Sequence, residues 1–276
     1  MKHWIMRFPE GRTKALTFSY DDGVRQDIRL MDLLDRYGMK GTFNLNSGLY
    51  AAARGRFRMT EEEATAAYTG RAHEIAIHSY THPFLETIPQ TAVIGEIMKD
   101  REHLEAQFGG IVRGMAYPMG TFSDEVVEVL RLCGVAYART TVSTEKFKLP
   151  TDWLRLPATC HHDNPRLMEL AKDFVERDFA HRASGLFYLW GHSYEFDDND
   201  NWHVIEEFVD YMGGRENEIW YATNIEIYEY IEDYKRLVFS ADFRRVYNPT
   251  ARTLWLAQGR EIFSVAPGET LCFTGE

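Results

Sequence analysis

Apolar runs of strand length alternate along this chain with stretches whose apolar residues recur every three or four positions. Residues 14–20, KALTFSY, form an apolar run long enough for a buried strand. The next stretch, RQDIRLMDLLDRYG, spaces Ile28, Met31, Leu34 and Tyr37 as a helix face, and Gly38 is placed to end it. The alternation then repeats. KGTFNLN predicts a strand, and TEEEATAAYTG a helix opened by a Thr60–Glu63 capping box. HEIAIHSYTHP predicts a strand running into a loop, and residues 91–109 a long amphipathic helix. VRGMAYPMG predicts strand and loop, SDEVVEVLRLCG a helix capped by Ser123, and VAYART and WLRLPAT two strands. A helix over PRLMELAKDFVER, a strand over GLFYLWGHS, a helix over WHVIEEFVDYMGG, a strand over EIWYATN and a helix over IEIYEYIEDYKRL complete the series.

Strands separated by helices pair in parallel through right-handed crossovers. About seven such units predict an α/β fold, a distorted (β/α) barrel closed or nearly closed. After Leu237 the pattern changes to short β-type runs split by Asn-Pro, Gln-Gly and Pro-Gly turns. The expected organisation is a catalytic domain over 1–237 and a small β-rich extension over 238–276.

In such a barrel, functional groups sit at the C-terminal ends of the strands. Those positions carry Asp21 and Asp22, Asn44 and Asn46, His78 and His82, Tyr117 and Pro118, the run Cys160-His161-His162-Asp163, and His192. One aspartate of FSYDDGV is explained by a turn, since Asp22-Gly23 is a turn dipeptide. Asp21 is not. His78 and His82 stand four apart, a spacing at which a turn presents two imidazoles together, although two unrelated polar loop residues would look the same. With Asp22 they make a His, His, Asp set that leaves coordination positions open, as catalytic metal sites require. Zinc ranks first for this set, and cobalt, nickel and manganese also suit it. Asp21 is then the candidate general base. His192 is the candidate general acid, or else a strand-end histidine bonded to backbone.

The formal net charge of −11 argues against nucleic acid or an anionic membrane surface as partner. No apolar run is long enough to span a bilayer, and MKHWIMRFPEGRTK lacks a signal-peptide core, so a cytoplasmic location is expected. Cys133, Cys160 and Cys272 form no disulfide or zinc pattern; Cys133 and Cys272 are expected to fill core.

The segments FSYDDG, HSYTH, AYPMG and LWGH follow the order and approximate spacing of the polysaccharide deacetylase family, the NodB-homology domain of carbohydrate esterase family 4, and the chain resembles that family over roughly residues 14–230. The resemblance implies a distorted (β/α) barrel that removes acetyl groups with one divalent metal. It implies Asp21 as base, Asp22, His78 and His82 as metal ligands, His192 as acid, and the backbone N–H of Met119 as an oxyanion donor. The partner it implies is a small-molecule or oligosaccharide substrate. Tyr117, Trp190, His161 and His162 are candidate substrate contacts, with core packing or loop filling as the alternative; Glu195 either bonds the acid histidine or faces solvent.

The family pattern is broken where an arginine is usual and Ala116 stands, with Arg25 and Arg155 as candidate replacements. The fourth motif has only Asp152-Trp153 as a partial counterpart. The expected activity is deacetylation of an N- or O-acetylated sugar or small glycoconjugate. The alternatives are C–N hydrolysis of a small, non-sugar cyclic amide, and carbohydrate binding without catalysis.

Overall fold

A computed structural model describes residues 4–50, 58–180 and 183–273. Strand Lys14–Asp21 is the axis of the main sheet. It pairs in parallel with Gly41–Leu45 on one side and Gly185–Gly191 on the other. From Gly41–Leu45 the sheet continues, all parallel, through Glu74–Ile77, Gly114–Ala116, Tyr137–Ser143 and Leu156–Ala158. The chain then runs on through Thr159 into Cys160–His161, which pairs with Gly185–Gly191. One extended segment, 156–161, therefore touches both ends of the sheet and closes a ring of seven strand positions. A register shift between Arg139 and Ser143 distorts the ring there. Strand Ile219–Tyr221 pairs with the first half of Lys14–Asp21.

The axis strand is buried at every position, because helices cover its outer face and the barrel fills its inner one. Side chains alternate across a strand. Leu16, Phe18 and Tyr20 join the outer core with Leu30, Met31 and Leu34 of helix Gln26–Asp35 and with Phe208 of helix Trp202–Met212. Ala15, Thr17, Ser19 and Asp21 take the other parity. The barrel interior is therefore partly polar, with Thr42, Asn44 and Arg139 also buried.

The tail forms two three-stranded antiparallel sheets. In one of them Leu254–Gln258 pairs with the N-terminal strand Trp4–Arg7, so the extension shares its sheet with the start of the chain. Met6, Phe8, Leu254, Leu256 and Val265 cluster with Ala15, Leu186 and Tyr230, beneath the N-terminal ends of the barrel strands. The strand Trp4–Arg7 and the short helix Glu195–Asp198 were not legible in the periodicity. Residues 153–155, expected as strand, form a turn held by Asp152, and the strand starts at Leu156. Cys133 is buried as expected, but Cys272 is exposed, on a three-residue edge strand with one half-buried position.

Glu74, at the start of its strand, accepts hydrogen bonds from Tyr137 Oη (2.7 Å), Thr42 Oγ1 (2.8 Å) and Ile225 N (2.9 Å). Burial pushes its carboxyl up to about 7 despite these donors, against roughly 4.3 in an unfolded chain. A raised carboxyl pKa favours the folded state in its protonated form. That contribution is complete below the unfolded value and is lost as pH rises toward the folded one. Glu74→Gln should therefore shrink the difference between the urea midpoints at pH 5 and pH 8. An unchanged difference would show that Glu74 does not titrate this way.

Candidate active site

The C-terminal ends of the barrel strands bring Asp21, Asp22, His78, His82 and His192 together, as the spacing predicted. Asp21 Oδ2 lies 3.9 Å from His78 Nε2 and 3.9 Å from His192 Nε2. Asp21 is 3% exposed. Asn44 Nδ2 donates to its Oδ1 at 2.8 Å, and the Arg139 guanidinium donates to its Oδ2 through Nη2. Burial alone would raise the pKa of Asp21. The adjacent Arg139 charge, helped by His78 and His192, outweighs it and holds the carboxyl down at about 2.

Arg139 is the arginine that the sequence left unassigned. It projects from strand Tyr137–Ser143, its Nε donates to Ser19 Oγ at 3.1 Å, and its guanidinium stacks 4.4 Å from the centre of the Trp190 ring. The two candidates raised from sequence are on the surface instead: Arg25 pairs with Glu63, and Arg155 with Asp124 and Asp152. Ala116, in the usual arginine position, uses its carbonyl to accept from or face His78 Nδ1 at 2.8 Å.

That contact aims Nε2 of His78 at the site, an arrangement typical of metal-ligating histidines. His82 Nε2 lies 3.2 Å from His78 Nε2 and 3.9 Å from Asp22 Oδ1. All three ligand atoms fall within 4.8 Å of one another, so the trio fits one divalent ion. Burial pushes the His82 imidazole down to about 4, and His78 adds to the effect, so the ring is neutral and free to ligate.

The residues between the two histidines are not helical. Ser79 and His82 have φ of 61° and 59°, and Asp22 has 85°. Such conformations cost energy outside glycine and need surrounding bonds to hold them. Asn46 Nδ2 donates to the carbonyls of His78 (2.5 Å) and Ser79 (3.0 Å). Asp100, from helix Gln90–Phe108, accepts from His78 N at 3.0 Å and from Ser47 N at 2.8 Å. Glu96 of the same helix accepts from Thr81 N at 2.7 Å. Arg58 binds both the carbonyl of Asp22 (2.7 Å) and its Oδ1 (3.0 Å). Neither Arg58 nor Asp100 had a sequence signal, because each acts across a long stretch of chain.

On the other side of Asp21, His192 Nδ1 faces Glu195 Oε1 at 3.3 Å. Burial would lower the pKa of His192, but Glu195, Asp21 and Asp22 outweigh it and raise it, favouring the imidazolium. Glu195 therefore faces the acid candidate while staying partly exposed. Asp152 and Trp153, the partial fourth motif, lie elsewhere: Asp152 caps its own turn and Trp153 Nε1 donates to Glu232 at 2.6 Å.

Met119 is exposed, with its backbone in the left-handed region at φ 57°. Three expected substrate contacts, Tyr117, Trp190 and His162, are corrected by burial. Tyr117 is 1% exposed and donates its hydroxyl to the Leu154 carbonyl at 2.7 Å. Trp190 is buried beneath Arg139. Neither ring offers a face to a sugar. His162 is also buried, while His161 is partly exposed.

Arg139→Met should leave the Asp21 carboxylate buried without its cation and cost about 3–5 kcal/mol in urea unfolding. Adding Asp21→Asn should recover more than half of that loss. No recovery would mean that Arg139 stabilises the barrel through its contacts with Ser19 and Trp190, not through Asp21.

The polysaccharide deacetylase family model matches residues 9–138, which include Asp21, Asp22, His78, His82 and the Pro118–Met119 turn and stop one residue short of Arg139. Among solved structures, a polysaccharide deacetylase candidate from Mycobacterium smegmatis aligns with a TM-score of 0.59 and 17% identity, over 85% of this chain and 96% of that one. A mutant, with restored enzymatic activity, of a family 4 carbohydrate esterase pseudoenzyme from Bacillus anthracis aligns at 0.50 and 17% identity, over 81% and 70%. A Streptococcus pyogenes deacetylase in complex with acetate aligns at 0.45 and 19% identity, over 50% of this chain and 62% of that one. Residues 9–138 thus match the polysaccharide deacetylase family, the motif residues gather at one end of the barrel, and the fold is shared with a solved structure described as a deacetylase of that kind.

Proposed function

We propose that this protein is a metal-dependent hydrolase that removes an acetyl group from an N- or O-acetylated sugar or small glycoconjugate. The observation that carries this reading is the placement of Asp21 Oδ2 between His78 and His192, 3.9 Å from each. A candidate base thus lies between a candidate metal trio and a candidate acid.

Asp22, His78 and His82 would hold the ion, their ligand atoms lying within 4.8 Å of one another. Bound there, a divalent metal supplies Lewis acidity toward a carbonyl oxygen and makes coordinated water more acidic. Asp21, ionised under the influence of Arg139, accepts the proton of the attacking water at Oδ2. His192, charged and facing Glu195, donates from Nε2 to the leaving nitrogen or oxygen. The Met119 N–H is the oxyanion donor that the family resemblance implies. Arg139 and Glu195 are positioning residues, since each acts through another side chain.

One observation favours a second reading. With Tyr117 and Trp190 both buried, the stacking surfaces expected for a sugar are absent from the positions where the sequence placed them. That suits C–N hydrolysis of a small non-sugar amide. Acetate release from a panel of acetylated sugars, set beside ring opening of small cyclic amides, with and without added metal, separates the two. Turnover of cyclic amides alone would displace deacetylation.

Two further outcomes test the assignment of roles. His78→Ala/His82→Ala should lose one bound divalent ion per chain by elemental analysis, and Asp21→Asn should keep the ion while losing turnover. Equal metal loss in both variants would end the division between ligand and base. His192→Ala should slow amide hydrolysis by roughly 10²- to 10⁴-fold. An activated aryl acetate, whose leaving group barely needs a proton, should suffer much less. Equal losses on both substrates would remove His192 from the acid role.

A further inference from the structure

We propose that His161, His162 and Glu195 form a second divalent-cation site, separate from the Asp22–His78–His82 trio and next to His192. The ligand atoms of this second group also lie within 4.8 Å of one another. His161 Nε2 is 3.3 Å from Glu195 Oε2, and His162 Nε2 is 3.1 Å from the same oxygen. A tetrahedral ion with arms of about 2.0–2.1 Å spaces its ligand atoms by about 3.3 Å. On these edges the group is more tightly assembled than the first trio, where His82 and Asp22 stand 3.9 Å apart.

Two further features point to an ion. His161 Nδ1 lies 2.6 Å from Asp163 Oδ1. That is the carboxylate–histidine pairing that orients metal-ligating imidazoles. The Asp163 backbone N also lies 3.3 Å from Nδ1, so Asp163 holds the ring through two atoms with Nε2 turned toward Glu195. A divalent ion between Nε2 and Oε2 would fit this spacing. The second feature is preorganisation. The His162 ring stacks 5.8 Å from Tyr20 and lies 4.2 Å from Phe196, and its backbone N donates to the Trp190 carbonyl at 2.9 Å. Its ring is locked in the ligating direction before anything binds.

The trio would use Glu195 Oε2 and leave Oε1 facing His192 Nδ1 at 3.3 Å. An ion at this site would therefore fix the carboxylate that positions the candidate acid. The site stands on its own residues and does not depend on the proposed deacetylation.

The test is stoichiometry. The chelator-treated protein is loaded with Co²⁺ or Zn²⁺, desalted, and its metal counted by elemental analysis. Two ions per chain are expected in the wild type, one in His161→Gln, one in His78→Ala/His82→Ala, and none when all three changes are combined. Asp163→Asn should weaken one of the two sites by roughly 10- to 100-fold and leave the other unchanged. A single ion in the wild type, lost with His78 and His82 and indifferent to His161→Gln and Asp163→Asn, would overturn the proposal. The trio would then be a cluster of imidazolium rings around a carboxylate. A single ion lost with His161→Gln and retained in His78→Ala/His82→Ala would uphold this site and remove the metal from the proposed catalytic one. Circular dichroism checks each variant, and Asp163→Asn decides alone if His161→Gln does not fold.

Discussion

The buried pair Asp21–Arg139 is the interaction on which the candidate active-site end of the barrel depends. Moving an isolated carboxylate into an apolar interior costs far more than a domain's net stability. Asp21 is tolerated because a guanidinium and an amide, from Arg139 and Asn44, meet its two oxygens. The pair is not a source of stability by itself, since desolvation of both charges offsets much of their attraction. Its effect is to fix a negative charge in one position. Asp21 and Arg139 come from strands well apart in the sheet order, so they meet only because the segment 156–161 closes the ring and folds the sheet back on itself.

Around that charge, the backbone is held in conformations that side chains ordinarily avoid. Asp22, Ser79, His82 and Met119 all have positive φ and all lie at the same end of the barrel. Strain of this kind, roughly 1–3 kcal/mol per residue, persists where the surroundings over-determine it. Here the restraints are identifiable. Asn46 grips two carbonyls of the histidine loop, Asp100 and Glu96 anchor it from one helix, and Arg58 ties down Asp22. The scaffold therefore spends buried polar groups on orientation. Asp100, whose carboxyl burial lifts to about 7, is the clearest case.

Asp27 connects the two halves of the site by a similar device. It is fully buried and accepts from Val24 N (3.1 Å), Tyr68 Oη (2.6 Å) and Ser193 Oγ (2.5 Å). The first of these donors follows the two aspartates in sequence, and the last follows His192. A single carboxyl thus links the loop carrying the candidate base and ligand to the loop carrying the candidate acid. The two imidazole groups, one around Asp22 and one around Glu195, flank Asp21 and His192 in this frame.

The sequence by itself determined the alternation of strands and helices, the closed parallel barrel and the end at which chemistry would lie. These follow from local physics: side-chain periodicity, capping residues such as Thr60 and Ser123, and the handedness of parallel crossovers. It also singled out Asp21, Asp22, His78, His82 and His192, because they stand at the ends of apolar runs in the order of a known family's motifs. It misplaced Tyr117 and Trp190, whose aromatic character serves a core as well as a binding face. Only the tertiary structure decided which arginine meets Asp21, that Glu195 faces His192, and that the tail pairs with the N-terminal strand. Arg139 lies in an ordinary strand run and Asp100 in an ordinary helix. Nothing local distinguishes a charge that will be buried against a partner from one that will face water. That choice is made when distant strands close around it, and one-dimensional patterns carry no record of it.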